Sequence, residues 1–169
     1  MYRRYYPRRR LRPAHIAAAL AAVLVLGAWT AHAGKSSRAP SRAAREAIAF
    51  ARAQLGRPYC WGGTGATGCF DCSGLVMEAY ASAGVVIPRT SQEQWADLRH
   101  VSHPRAGDLV LAPGSDGTTA SPGHVGLLIG HGRVIQAYAP GYPIAVTTLV
   151  AFSAGAGGIV GYARPGGGS

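Results

Sequence analysis

The chain has 169 residues and a formal charge of +10, with 17 Lys and Arg against 7 Asp and Glu, and three cysteines. That length favours one compact domain, and the basicity is lopsided: Arg3, Arg4, Arg8, Arg9, Arg10 and Arg12 crowd a head that has no acid. Without those six, eleven cations face seven acids, and a balance of +4 gives no support to nucleic-acid binding.

Residues 1–33 read as a secretory signal peptide. The charged head leads into the apolar run Ile16–Trp29, and Ala31-His32-Ala33 supplies a small-x-small cleavage pattern. Fourteen apolar residues fall short of the ~20 that cross a bilayer, so no stable membrane span is expected after cleavage. The protein is then secreted or associated with the cell wall. Residues 34–42 form a short basic linker, 43–165 the domain, and 166–169 a disordered glycine-rich tail.

Within the domain, Ser41 is placed to cap a helix running to about Leu55, with Ala44, Ile48, Ala51 and Leu55 on one face and Gly56 at its end. Gly62 to Gly68 is a glycine-rich loop. A second helix is predicted from Cys72 to Gly84, where Leu75, Val76, Ala79, Tyr80 and Ala83 recur at helical spacing. Thr90-x-x-Glu93 matches a capping box and predicts a short third helix. After residue 105 the pattern turns to short β-rich runs: Asp108–Leu111, His124–Ile129, Arg133–Tyr138, Ile144–Leu149 and Gly158–Ala163. Helices followed by strands predict an α+β fold with an antiparallel sheet.

The chemistry concentrates at Asp71-Cys72-Ser73-Gly74-Leu75, where the loop becomes the second helix. A thiol at a helix N-terminus faces unpaired amides and the positive end of the macrodipole, which favour the nucleophilic thiolate. Against this stands the plain alternative of a small cysteine that only packs. A cysteine nucleophile needs a base within hydrogen-bond reach. His100 and His103 lie in a polar connector and His131 at a glycine-flanked turn, whereas His124 opens an apolar strand. An ordinary core histidine is the competing reading of His124. In an oxidising compartment two of the three cysteines can pair, which leaves the odd one as the reactive thiol. Cys69-x-x-Cys72 also admits a redox or zinc reading. Zinc would need further ligands, from His100 or His103, and no second cysteine pair follows, so no metal is assigned.

Five motifs occur in order: Pro58-Tyr59-Cys60-Trp61-Gly62-Gly63, Asp71-Cys72-Ser73-Gly74-Leu75, Pro88-Arg89-Thr90-Ser91, Gly107-Asp108-Leu109-Val110 and Gly123-His124-Val125-Gly126. Together, over about residues 43 to 163, they resemble the NlpC family of papain-like cysteine peptidases that cut peptidoglycan stem peptides. The resemblance implies a papain-like fold, with a nucleophile-bearing helix packed on an antiparallel sheet. It implies Cys72 as nucleophile, His124 as general base and Gln136 as the polar residue that orients the histidine. Tyr59 and the backbone amide of Cys72 would stabilise the oxyanion. Asp71 and Ser73 would hold the free amine of the substrate's L-alanine, with Arg89 and Ser91 on the other side of the cut. The bond implied is D-glutamyl–diamino acid, with no cofactor and a monomeric enzyme whose partner is the stem peptide. An amidase or acyltransferase on the same fold, and a non-catalytic wall-binding or redox module, are the rival functions.

Two departures from the family pattern stand out. The third catalytic position is often histidine and here is Gln136, while Cys60 and Cys69 are additional. With Cys72 assigned to catalysis, Cys60 and Cys69 are free to bridge around the glycine-rich loop. Gln136 is expected on a strand antiparallel to that of His124. A three-residue loop, Gly130-His131-Gly132, would set it opposite Gly126 on the face of His124. A clean two-residue His131-Gly132 turn would set it opposite Leu127, on the wrong face, unless a bulge restores the phase.

Overall fold

The computed structural model describes residues 39–166. The proposed leader, residues 34–38 of the linker and residues 167–169 of the tail lie outside that range. Among the described residues, four helices pack on a six-stranded antiparallel sheet. The helices are α1 (Arg42–Ala53), α2 (Cys72–Ala81), α3 (Ser91–Asp97) and α4 (Leu149–Gly155). The strands are β1 (Arg99–His100), β2 (Leu109–Ala112), β3 (His124–Gly130), β4 (Arg133–Gln136), β5 (Ala145–Thr148) and β6 (Gly161–Arg164). Their order across the sheet is β1-β6-β2-β3-β4-β5.

Local signals account for most helix starts. Ser41 caps α1 by accepting from the Ala44 amide, and Thr90 and Glu93 form the expected capping box of α3. Helix α1 buries Ala44, Ala47 and Ala51, but it ends at Ala53, so Leu55 falls in the following turn and is exposed. Thr148, the last residue of β5, caps α4, which begins on the final residue of the run expected to be a strand and continues beyond it. The polar connector contains the two-residue strand β1, paired to β6.

The sheet separates two apolar layers because side chains alternate along each strand. Leu109, Leu111, Val125, Leu127 and Ile135 face α1 and α2, in a core with Leu75, Val76 and Tyr80. Val110, Leu128 and Val134 face the opposite way, against Phe152 of α4. His124 and Gln136 share the parity of this second face. Asp108 ties the sheet's strands together: Arg164 at the end of β6 donates to both of its oxygens at 2.6 Å.

The β3–β4 hairpin departs from the expected loop. Gly130 pairs with Arg133, so the turn is the two-residue His131-Gly132. His131 takes φ +52°, a left-handed conformation unusual outside glycine. The register then shifts at Ile129, and Leu128 pairs with Val134 and Leu127 with Ile135. Carried one pair further, that register sets Gln136 opposite Gly126. A bulge restores the phase that the short turn would have lost.

Candidate active site

Cys72 is the first residue of α2, and Asp71 before it is the cap: its Oδ1 accepts the Gly74 amide at 2.6 Å. The chain reaches this point through a tight loop. Cys60 is joined to Cys69, so Cys69 is not paired with Cys72, the free cysteine. Inside the bridge, the Asp71 amide donates to the Gly63 carbonyl at 3.0 Å. Gly74 crosses that same carbonyl so closely that a Cβ there would collide with it, which explains the glycine in Cys-Ser-Gly. Two constraints therefore set the thiol's position: the helix cap behind it and the bridged loop beside it.

His124 opens β3 and is almost fully buried. The Gly123 carbonyl just before it lies 4.0 Å from Cys72 Sγ, which brings the two elements together. One ring nitrogen of His124, Nε2, lies 2.8 Å from Gln136 Oε1. An amide oxygen only accepts, so this bond puts the proton on Nε2 and leaves Nδ1 as the acceptor nitrogen. The imidazole is also clamped by aromatic rings: Phe152 stacks on it at 5.2 Å and Tyr138 meets it edge-on at 5.9 Å. Cys72, His124, Tyr59, Asp71, Ser73, Arg89 and Ser91 all line one cleft of about 530 Å³.

The electrostatics differ from the sequence expectation in one respect. Burial pushes the Cys72 thiol up to about 11, with Asp71 adding to the rise, and the amides of Val125 and Ser73 only partly offset it. The helix terminus does favour the thiolate, but loss of solvent outweighs it. Burial likewise lowers the His124 pKa against the opposing effect of the hydrogen bond that the ring donates to Gln136. At neutral pH the resting pair is a thiol beside a neutral imidazole. Burial raises the Tyr59 phenol, so it stays protonated and available as a donor.

Asp71, Ser73 and Arg89 form one hydrogen-bonded cluster. Arg89 donates to Asp71 Oδ1 at 3.0 Å, to Asp71 Oδ2 at 2.6 Å and to Ser73 Oγ at 2.9 Å. Ser91, buried at the start of α3, lies on the cleft wall. The other histidines are elsewhere. His100 stacks on Trp95 at 3.6 Å, His103 bonds Ser102, and His131 makes the hairpin turn.

Several residues of the site escaped the sequence reading. Phe152 was hidden because it falls between two runs read as strands, Ile144–Leu149 and Gly158–Ala163, where no element was expected. Tyr138 had a usable signal, since it follows Gln136 by two. Gln94 is fully buried and its Nε2 donates to the carbonyls of Ser73 and Pro88, pinning α3 and the Arg89 segment to the first turn of α2. Asp116, in the loop between β2 and β3, also lines the cleft.

Known proteins resemble the chain in sequence and in fold. Residues 56–150 match the family model described as NlpC/P60 family. The bifunctional muramidase/DL-endopeptidase CwlT of Bacillus subtilis is 43% identical over 84 residues, 48% of this chain and 25% of that protein. A probable endopeptidase of Corynebacterium glutamicum is 41% identical over 122 residues, 70% of this chain and 54% of that protein. The chain thus spans from about a quarter to about half the length of these curated relatives. Among solved structures, the peptidoglycan hydrolase RipB of Mycobacterium tuberculosis superposes with a TM-score of 0.59 at 30% identity, covering 90% of this chain and 85% of that one. With the family model matched over more than half its length, and with this cleft and sheet, the chain belongs to the NlpC/P60 family.

Proposed function

We propose that the protein is a cysteine peptidase that hydrolyses an amide bond in peptidoglycan stem peptides, at a D-glutamyl–diamino acid linkage. The observation that carries this reading is the Nε2–Gln136 bond, which leaves the acceptor nitrogen of His124 free in the cleft that holds the only free thiol among the described residues. The wall-hydrolase names of the relatives support the substrate class.

In this reading His124 Nδ1 takes the thiol proton as Cys72 Sγ attacks the scissile carbonyl. Because the resting pair is neutral, proton transfer accompanies attack rather than preceding it. The Tyr59 hydroxyl and the Cys72 amide stabilise the oxyanion. As the C–N bond breaks, the imidazolium returns its proton to the leaving amine, and a thioester remains. Water, deprotonated by His124, then hydrolyses the thioester and regenerates the thiol. Gln136 acts as a positioning residue. The enzyme works as a monomer on the wall, exported by residues 1–33, with residues 34–42 linking to the catalytic domain 43–165.

Digestion of purified peptidoglycan followed by mass analysis of the new termini tests the proposal. New D-glutamyl carboxyl termini paired with free diamino-acid amines are expected, and none from folded Cys72→Ala or His124→Ala protein. Comparable hydrolysis by folded Cys72→Ala protein would overturn the assignment.

A further inference from the structure

The cleft contains two carboxylates, Asp71 and Asp116, and one arginine, Arg89. Asp71 is saturated. Its Oδ1 accepts from the Gly74 amide, the Ser73 hydroxyl and Arg89, and its Oδ2 from the Gly62 amide and Arg89. A carboxylate offers about four lone-pair sites, and five donors already crowd this one. Asp71 also cancels the charge of Arg89, with which it forms a salt bridge. A cationic group entering the cleft finds no acceptor capacity there.

Asp116 is placed differently. It is exposed, and among the described residues it has no hydrogen bond and no cation partner. Its loop is nevertheless held. The Gly123 amide donates to Pro113 at 2.9 Å, the Gly114 amide to Ala156 at 3.0 Å, and the Thr118 amide to Ser121 at 2.9 Å. The carboxylate leans against Gly123: a Cβ built on that glycine would lie 2.6 Å from Asp116 Oδ1. The carbonyl of the same glycine is 4.0 Å from Cys72 Sγ. The cleft therefore carries one uncompensated negative charge beside the reacting pair.

We propose that Asp116 binds a primary ammonium group of the substrate and selects stem peptides in which that amine is free. The inference rests on the stem-peptide reading of the cleft. A stem peptide has two such groups, the N-terminal amine and the side-chain amine of the diamino acid, and both are largely protonated near neutral pH. Either gives a charge-assisted hydrogen bond in a cleft that is partly shielded from solvent.

The test compares the full chain with its Asp116→Asn and Asp116→Glu variants on four synthetic stem peptides. These have both amines free, the N-terminal amine acetylated, the side-chain amine acetylated, or both acetylated. On the free peptide Asp116→Asn raises KM about three- to tenfold with kcat within about twofold, and Asp116→Glu restores most of the loss. Acetylating the bound amine abolishes the difference between the native chain and Asp116→Asn, whereas acetylating the other leaves it, so the pattern identifies the ligand. Equal KM values on the free peptide would overturn the proposal. So would an equal loss of kcat on all four peptides with a shifted pH profile, which would place the effect on His124. If the native chain cleaves none of the peptides, the stem-peptide reading falls and this one with it. Cleavage without a KM difference removes only the role of Asp116.

Discussion

Replacing Gln136 probes the least conventional part of the proposed triad. In Gln136→Leu the volume is kept and the acceptor for His124 Nε2–H is lost. Two costs follow. A hydrogen bond to a charged partner contributes ~1.5–3 kcal/mol and a neutral one ~0.5–1.5, so the imidazolium formed during attack loses about 1–1.5 kcal/mol more than the resting ring, roughly 5–13-fold in rate. The unpinned ring also divides between two tautomers, which costs about another two- to threefold. Gross reorientation adds little, because Phe152 and Tyr138 still hold the ring plane. The expected fall is therefore about 10–40-fold, for Gln136→Ala as well as Gln136→Leu, while Gln136→His keeps most activity. The pH profile gives a second readout. His124 must be unprotonated to act, so activity rises with pH through its pKa. Burial sets that limb below the ordinary histidine value of about 6.5. Gln136 opposes the burial effect, so Gln136→Leu moves the limb lower still. kcat/KM on one defined stem peptide across the acidic range measures both. Near-native rates with an unmoved limb in Gln136→Leu would refute the reasoning and leave Cys72 and His124 working as a pair.

Because the Cys72 thiol is pushed up to about 11, its alkylation by iodoacetamide should be slow at neutral pH and keep rising into the alkaline range. Rapid labelling at pH 6 would show instead a resting thiolate–imidazolium pair. Opening the Cys60–Cys69 bridge in a Cys60→Ser/Cys69→Ser variant should cost about 2.5–3 kcal/mol, given its sequence separation of 9, read as a lower midpoint in urea. The same variant should lose activity beyond any loss of fold, since the bridged loop begins one residue after Tyr59 and carries the Gly62 amide that bonds Asp71; undiminished kcat/KM in the folded state would separate the bridge from the site.

Much of the site was legible because its parts sit at chain positions with strong local signals. Cys72 follows a capping aspartate, His124 begins an apolar strand, and the Thr90–Glu93 capping box starts a helix where expected. What was missed depends on pairing or burial. Leu149–Gly155 has only seven residues, and it becomes a helix through the Thr148 cap and the burial of Phe152. The protonation of Cys72 misled for a related reason. A helix terminus is visible in sequence, whereas the solvent it loses to packing is not. The Arg89–Asp71 pair was not legible because motif order says nothing about which side chains meet.

The bulge at Ile129 also bears on how this hairpin tolerates change in length. Deleting that single residue would leave Gly130 opposite Arg133 and Leu128 opposite Val134, so Gln136 would still face Gly126. Drawing Ile129 into the ladder instead would set Gln136 opposite Leu127, in the apolar layer beneath α1 and α2, and bring Ile135 to the face of His124. The hairpin thus tolerates the loss of its bulged residue but not its pairing, and the triad's geometry depends on a residue that stays out of the ladder.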